Sequence, residues 1–236
     1  MHRRSLVPAL LAAALCALAA APPAAGGGAP GPDAMADTGG GSQVITAVAA
    51  DTGATRGTVT WWERADGRWR ERGSAPARFG SGGLVEGATR RQGTGTTPTG
   101  IFPLPYAFGT EPAPRGTSLA YRAVEHDSWW CEDSASRAYN RWVQPLPADC
   151  RAEESEHLAD YRTPYAYAMV VGYNYERPVR GRGAGIFLHV NGSGPTAGCV
   201  SVPADAMRRL LAWARPERRP HLAVGTAGGR TALTRY

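Results

Sequence analysis

The sequence contains no lysine; all 26 of its basic residues are arginine, set against 20 acidic residues for a formal charge of +6. The arginines are scattered instead of gathered on one stripe, so a nucleic-acid partner is not expected. A solvated basic surface is the plain reading, with a weak attraction to anionic wall polymers behind it. Charged residues make up only 19% of the chain, which excludes a highly charged disordered polymer. The five histidines and four cysteines show no metal-ligand spacing, so neither a metal nor a cofactor is expected. Long apolar runs are also missing, with one exception: Leu6 to Ala21, which is shorter than the ~20 residues of a membrane-spanning helix.

That run follows Met1-His2-Arg3-Arg4 and leads into small residues and Pro22-Pro23, the pattern of an export signal over residues 1–25. Cleavage is expected between Ala21 and Gly28. An uncleaved anchor is an alternative, as is lipidation at Cys16, although the bulky Leu15 fits a lipoprotein signal poorly. The protein is therefore expected to be secreted or associated with the cell wall. Residues 26–42 (GGGAPGPDAMADTGGGS) have the composition of a flexible linker, and 227–236 form a tail.

What the chain has in abundance is glycine and proline, 30 and 19 of 236 residues, which points to strands and loops. Gln43 to Ala49, Thr58 to Arg64, Arg68 to Arg72, Ile101 to Leu104, Tyr165 to Gly172 and Ile186 to Val190 read as strands. Ala65-Asp66-Gly67 reads as a hairpin turn. Two helices are predicted: a short one over Ala152 to Tyr161, and a better one over Pro203 to Arg215 with Met207, Leu210, Leu211 and Ala214 on one face. A single mostly-β domain over residues 43–226, with one or two short helices, is the economical architecture.

In an exported protein Cys131, Cys150 and Cys199 remain after the signal, an odd number. Three pairings are open by spacing, but the surroundings of Cys199 favour leaving it free and bridging Cys131 to Cys150. An apolar strand ends at His189, a loop of small residues follows, and Gly198-Cys199 precedes a helix. Thiol catalysis needs an accessible sulfur, a base within reach and N–H groups facing an oxyanion. A helix N-terminus and a histidine nearby would favour the thiolate.

Ile186-Phe187-Leu188-His189 followed by Thr196-Ala197-Gly198-Cys199-Val200 resembles the catalytic signature of the L,D-transpeptidase (YkuD-type) family, as found in exported actinobacterial members. Gly93 to Phe102 (GTGTTPTGIF) is similar to another block of that family, with Thr94 where aspartate is usual. Ser134 to Val143 and Tyr167 to Asn174 match further stretches in family order. The resemblance implies a β-sandwich-like catalytic domain acting on peptidoglycan stem peptides, and a monomer is expected. Cys199 would be the nucleophile, His189 the general base, and the N–H groups of Gly198 and Cys199 oxyanion donors. Asn191, Thr196 and Ser201 are expected on the substrate side, and acylation by a carbapenem is a further expectation. Ala197 stands where a second histidine is usual, and Ser201 where arginine or asparagine commonly lies. A cysteine hydrolase of the same peptides and a silent wall-binding domain are the alternatives.

Trp61-Trp62, Trp129-Trp130 and Trp142 could stack on sugars, but core packing is the simpler role. Tyr165, Tyr167, Tyr173 and Tyr175 alternate as on a strand. Glu153, Glu154, Glu156 and Asp160 read as a solvated helix face.

Overall fold

A computed structural model describes residues 31–35 and 37–228. The predicted export signal, the start of the linker and most of the tail lie outside the described residues. The chain forms β1 (Gln43–Ala49), β2 (Arg56–Ala65), β3 (Arg68–Arg78), β4 (Leu84–Glu86), β5 (Thr97–Pro103), β6 (Ala107–Gly109) and β7 (Tyr121–Ala123). It continues through β8 (Trp129–Cys131), β9 (Arg141–Val143), β10 (Glu156–His157), β11 (Ala168–Val170), β12 (Phe187–Val190) and β13 (Val200–Val202). Helix α1 (Ala204–Trp213) and strand β14 (His221–Thr226) complete it.

Eleven strands form one sheet in the order β4-β5-β14-β1-β2-β3-β13-β12-β11-β6-β7, and β10-β8-β9 form a small second one. Asp66 and Gly67 (φ 52° and 74°) make the two-residue turn between β2 and β3, where left-handed backbone suits the twist of a hairpin. The large sheet folds back over its own core. Ile45 and Ala47 of β1, Leu222 of β14, Leu188 of β12, Val200 of β13 and Leu210 of α1 share one buried cluster. Strand β1 is buried on both faces: Val44 and Val48 pack on the opposite side with Ala223 and the half-buried Met35, Trp69 and Ile101. The end of the Gly/Pro-rich segment thus lies against the domain, with Pro32 buried and Ser42 N–H donating to Arg218 O at 2.9 Å.

Helix α1 is the predicted C-terminal helix, with Pro203 at its N-cap and Ala206, Met207, Leu210 and Leu211 buried. The other expected helix does not form. Residues 152–154 and 158–160 are single 3-10 turns, and between them Glu156 and His157 extend to pair with Trp130 and Trp129 of β8. A ten-residue helix is marginal by itself, so this sheet pairing overrides it. The strand expected from Tyr165 is likewise shorter: Pro164–Ala166 is a 3-10 turn and only Ala168–Val170 is extended.

Candidate active site

Strands β12 and β13 run parallel with Leu188 opposite Val200 and His189 opposite Ser201. Side chains alternate across a sheet. Leu188, Val190, Val200 and Val202 therefore enter the main core. Phe187 and Cys199 face the other way, into a second cluster with Phe108, Trp130, Leu158 and Tyr165. His189 shares that face, its ring edge-on to Tyr165 at 5.6 Å. Cys199 and His189, each 7% exposed, line one cavity of about 260 Å³.

The sulfur accepts a hydrogen bond from Phe187 N–H at 3.3 Å and donates one to Gly185 O at 3.2 Å. His189 Nδ1 lies 2.7 Å from Val190 O, a carbonyl that only a protonated Nδ1 can satisfy. That tautomer leaves Nε2 with a free lone pair. The two side chains share the cavity without a direct hydrogen bond between them.

Burial pushes the Cys199 thiol well above its ordinary range, and Glu156 and Glu132 push it further; Phe187 N–H and Arg90 act the other way. Burial pulls His189 down to about 4, opposed by its bond to Val190. The resting pair is a neutral thiol beside a neutral imidazole, which corrects the expectation of a thiolate. Helix α1 begins only at Ala204, and the effect of a helix end falls off within its first turn.

Glu156 is the second correction. It is half-buried instead of solvated, lines the cavity with Cys199, and accepts a 2.5 Å hydrogen bond from the Tyr165 hydroxyl. A second cavity, of about 330 Å³, opens on the Gly185 side of the thiol and is lined by Arg90, Gln92, Glu132, Glu156, Ala197 and others. Burial and mutual repulsion raise the Glu132 carboxyl, and burial raises that of Glu156. Arg90, Glu132 and Thr97 were not singled out from the sequence, because nothing in their local pattern tells that they meet the surroundings of Cys199 from far away in the chain.

Gly198 has φ 140°, and a Cβ there would stand 2.8 Å from Arg90 Nη2 and 2.9 Å from Thr96 O, so only glycine fits. Its N–H is engaged by Thr196 Oγ1 at 3.1 Å. The Cys199 N–H has no partner among the described residues and is the available oxyanion donor. Thr196 Oγ1 also donates to Cys199 O at 2.6 Å, and Thr97 Oγ1 does so at 3.3 Å. Thr196 thus lines the cavity while bracing the cysteine backbone. Ser201 is wholly buried and donates to Asn191 Oδ1 at 2.8 Å, and neither residue lines the two cavities around the thiol. Cys131 and Cys150 are bridged, leaving Cys199 as the free cysteine among the described residues.

The family model of the YkuD L,D-transpeptidase catalytic domain matches residues 51–226. The chain belongs to this family. No curated protein sequence matches it. Among solved structures the YkuD domain is similar to Bd1075 of Bdellovibrio bacteriovorus, at 17% identity and a TM-score of 0.40, covering 78% of this chain and 48% of that one. The chain therefore spans about half the length of that protein.

Proposed function

We propose that this YkuD domain is an exported L,D-transpeptidase that forms a cysteine thioester with peptidoglycan stem peptides. The observation that carries this reading is the pairing of a free, cavity-lining thiol with an imidazole whose Nδ1 is fixed on Val190 O. Because the sulfur is protonated at rest, His189 Nε2 takes its proton as sulfur attacks the carbonyl carbon of the third stem residue, typically diaminopimelate. Cys199 N–H donates to the resulting oxyanion. The imidazolium then protonates the amine of the departing D-alanine as the C–N bond breaks. An acceptor amine attacks the thioester, its proton passes to His189 and on to the sulfur, and a 3→3 cross-link and free thiol remain. Export rests on the basic start and apolar run of residues 1–21.

Incubating the purified protein with disaccharide-tetrapeptide and reading products by mass spectrometry tests the reaction. Cross-linked dimer with loss of D-alanine is expected. Tripeptide alone would make the protein a hydrolase, and no turnover would leave a wall-binding domain. A carbapenem adduct is expected on the unmodified chain and not on Cys199→Ala; an adduct persisting on that variant would remove Cys199 as the nucleophile.

A further inference from the structure

Residues 151–161 form a strap that helps wall both cavities at the thiol. Glu153, Glu154, Ser155 and Glu156 line the one on the Gly185 side, and Glu156 and Tyr161 line the other. The strap is fixed at one end by Arg151, whose N–H donates to Asp133 Oδ2 at 3.2 Å, just after the Cys131–Cys150 bridge. Near the other end the buried Leu158 donates its N–H to Ser128 O at 3.0 Å. Between these points Glu156 and His157 pair with β8, a contact too short to hold by itself. Successive strand side chains point to opposite faces, so Glu156 reaches Tyr165 beside the thiol and His157 turns the other way. His157 Nε2 meets His126 O, and its Nδ1 lies 3.0 Å from Asp160 Oδ1. Both partners are acceptors. A neutral imidazole has one N–H and satisfies one of them; the imidazolium satisfies both. The ring also lies 4.5 Å from the Trp129 ring, centroid to centroid, an aromatic neighbour that favours a cation.

The charged groups around His157 come from two segments. Asp160 stands on its own strap. The connection before β8 brings Asp127, 3.9 Å from the exposed His126 ring and held by Gln144 Nε2 at 2.8 Å; Gln144 also holds Glu125 at 2.9 Å. His126 O raises the His157 pKa, as do Asp160 and Asp127, and burial opposes them. We propose that His157 is a positioning residue: as an imidazolium it clamps the strap, and loss of its proton loosens the wall that Glu156 forms beside Cys199. The wall is then tight in acid and loose in base. A raised pKa means that the clamp contributes fully below the ordinary histidine value of about 6.5 and is lost as pH rises through the folded value. Glu156 and Glu132, whose carboxyls burial raises, act in the same sense, since ionising them in the cavity favours an opened, hydrated strap. The clamp goes beyond the stem-peptide reading, because it governs access to the sulfur whatever acyl donor or acceptor is used.

Hydrogen exchange of the full chain, read by mass spectrometry and expressed as protection factors, tests the clamp between about pH 5.5 and about pH 8.5. Protection of peptides spanning residues 152–161 is expected to fall by at least about tenfold as pH rises, while β12 and α1 hold steady. His157→Gln should start at least about tenfold lower at the acid end. Asp160→Asn removes a charge from an exposed side chain and leaves Glu132 and Glu156 untouched, so it should move the midpoint to lower pH. This variant decides the matter even where His157→Gln fails to fold. The ratio of Cys199 labelling by a bulky maleimide to labelling by iodoacetamide cancels the thiolate fraction and should rise with the same midpoint. Protection independent of pH, a midpoint unmoved by Asp160→Asn, or a flat labelling ratio would overturn the proposal. Neither readout uses turnover, so loss of the clamp leaves the transpeptidase reading standing, and absence of turnover leaves the clamp standing.

Discussion

At the residue scale, the acid–base state of the site follows from what surrounds each group. His189 is the more easily placed: its Nδ1 proton is held by Val190 O and burial keeps the ring neutral. Protonation removes its capacity as a base, so the acid limb of kcat/KM should fall near pH 4 instead of near the ordinary histidine value of about 6.5. A limb near the ordinary value in a pH–rate profile would mean that water reaches the ring in the working enzyme. Cys199 is held in the opposite sense, with Glu156 adding a negative charge to the penalty of burial. Glu156→Gln deletes that charge and should therefore lower the thiol pKa. Alkylation by iodoacetamide at pH 8 should quicken by about threefold to tenfold, the effect of half to one pKa unit. Unchanged or slower alkylation would show that Glu156 does not act on the sulfur. His189, Cys199 and Gly198 can be picked out by reading the chain, since they flank one short loop. Glu156 cannot, since its neighbours Glu153, Glu154 and Asp160 disguise it as one face of a helix.

At the element scale, the small β10-β8-β9 sheet explains that disguise. Trp130 of β8 packs edge-on against Phe187 at 4.8 Å, and its indole N–H donates to Asn140 Oδ1 at 2.9 Å, which leaves its ring in the wall behind the thiol and not on its surface. Pairing of Glu156 with Trp130 then sets the carboxyl facing the site. The Cys131–Cys150 bridge and the Asp133–Arg151 pair tie this sheet to its loop. Arg151 Nε and Nη2 donate to Asp133 at 2.7 and 3.0 Å, with Ala135 N–H adding a third bond at 2.9 Å. These bonds hold the Asp133 carboxyl well below the usual carboxylate range. What this pair adds to stability is therefore present at neutral pH and is lost as pH falls below the unfolded value toward the depressed one. With a sequence separation of 19 residues, closing the bridge contributes about 3 kcal/mol on the chain-entropy model. Replacing both cysteines by serine should lower Tm by roughly 6–12 °C in a domain of this size. Labelling of Cys199 should be retained; its loss would mean that the bridge shapes the site as well as stabilising it.

At the scale of the whole molecule, the last strand in sequence returns to the interior of the sheet beside the first. Strand β14 lies parallel to β1, with Val44 opposite His221 and Ala49 opposite Thr226, and it separates β1 from β5. Gln43, 1% exposed, fastens β1 to the end of α1: its Nε2 donates to Trp213 O at 2.9 Å and its Oε1 accepts from Arg215 N–H at 2.8 Å. Gln43→Ala would leave both backbone groups unsatisfied and should cost about 1–3 kcal/mol. A lower urea midpoint at unchanged m-value would show it, and an unchanged midpoint would mean that water replaces the side chain at both groups.

The amino-acid sequence by itself determined the strand-rich class, the hairpin at Asp66-Gly67, the face of α1 and the loop that carries His189 and Cys199, because each depends on neighbours close along the chain. Only the tertiary structure decided that Arg90, Glu132 and Glu156 surround the thiol, that the sulfur rests protonated, and that residues 152–161 are not helical. Those outcomes depend on pairing and burial between segments far apart in sequence, and a local pattern carries no record of the field or the neighbours that such contacts create.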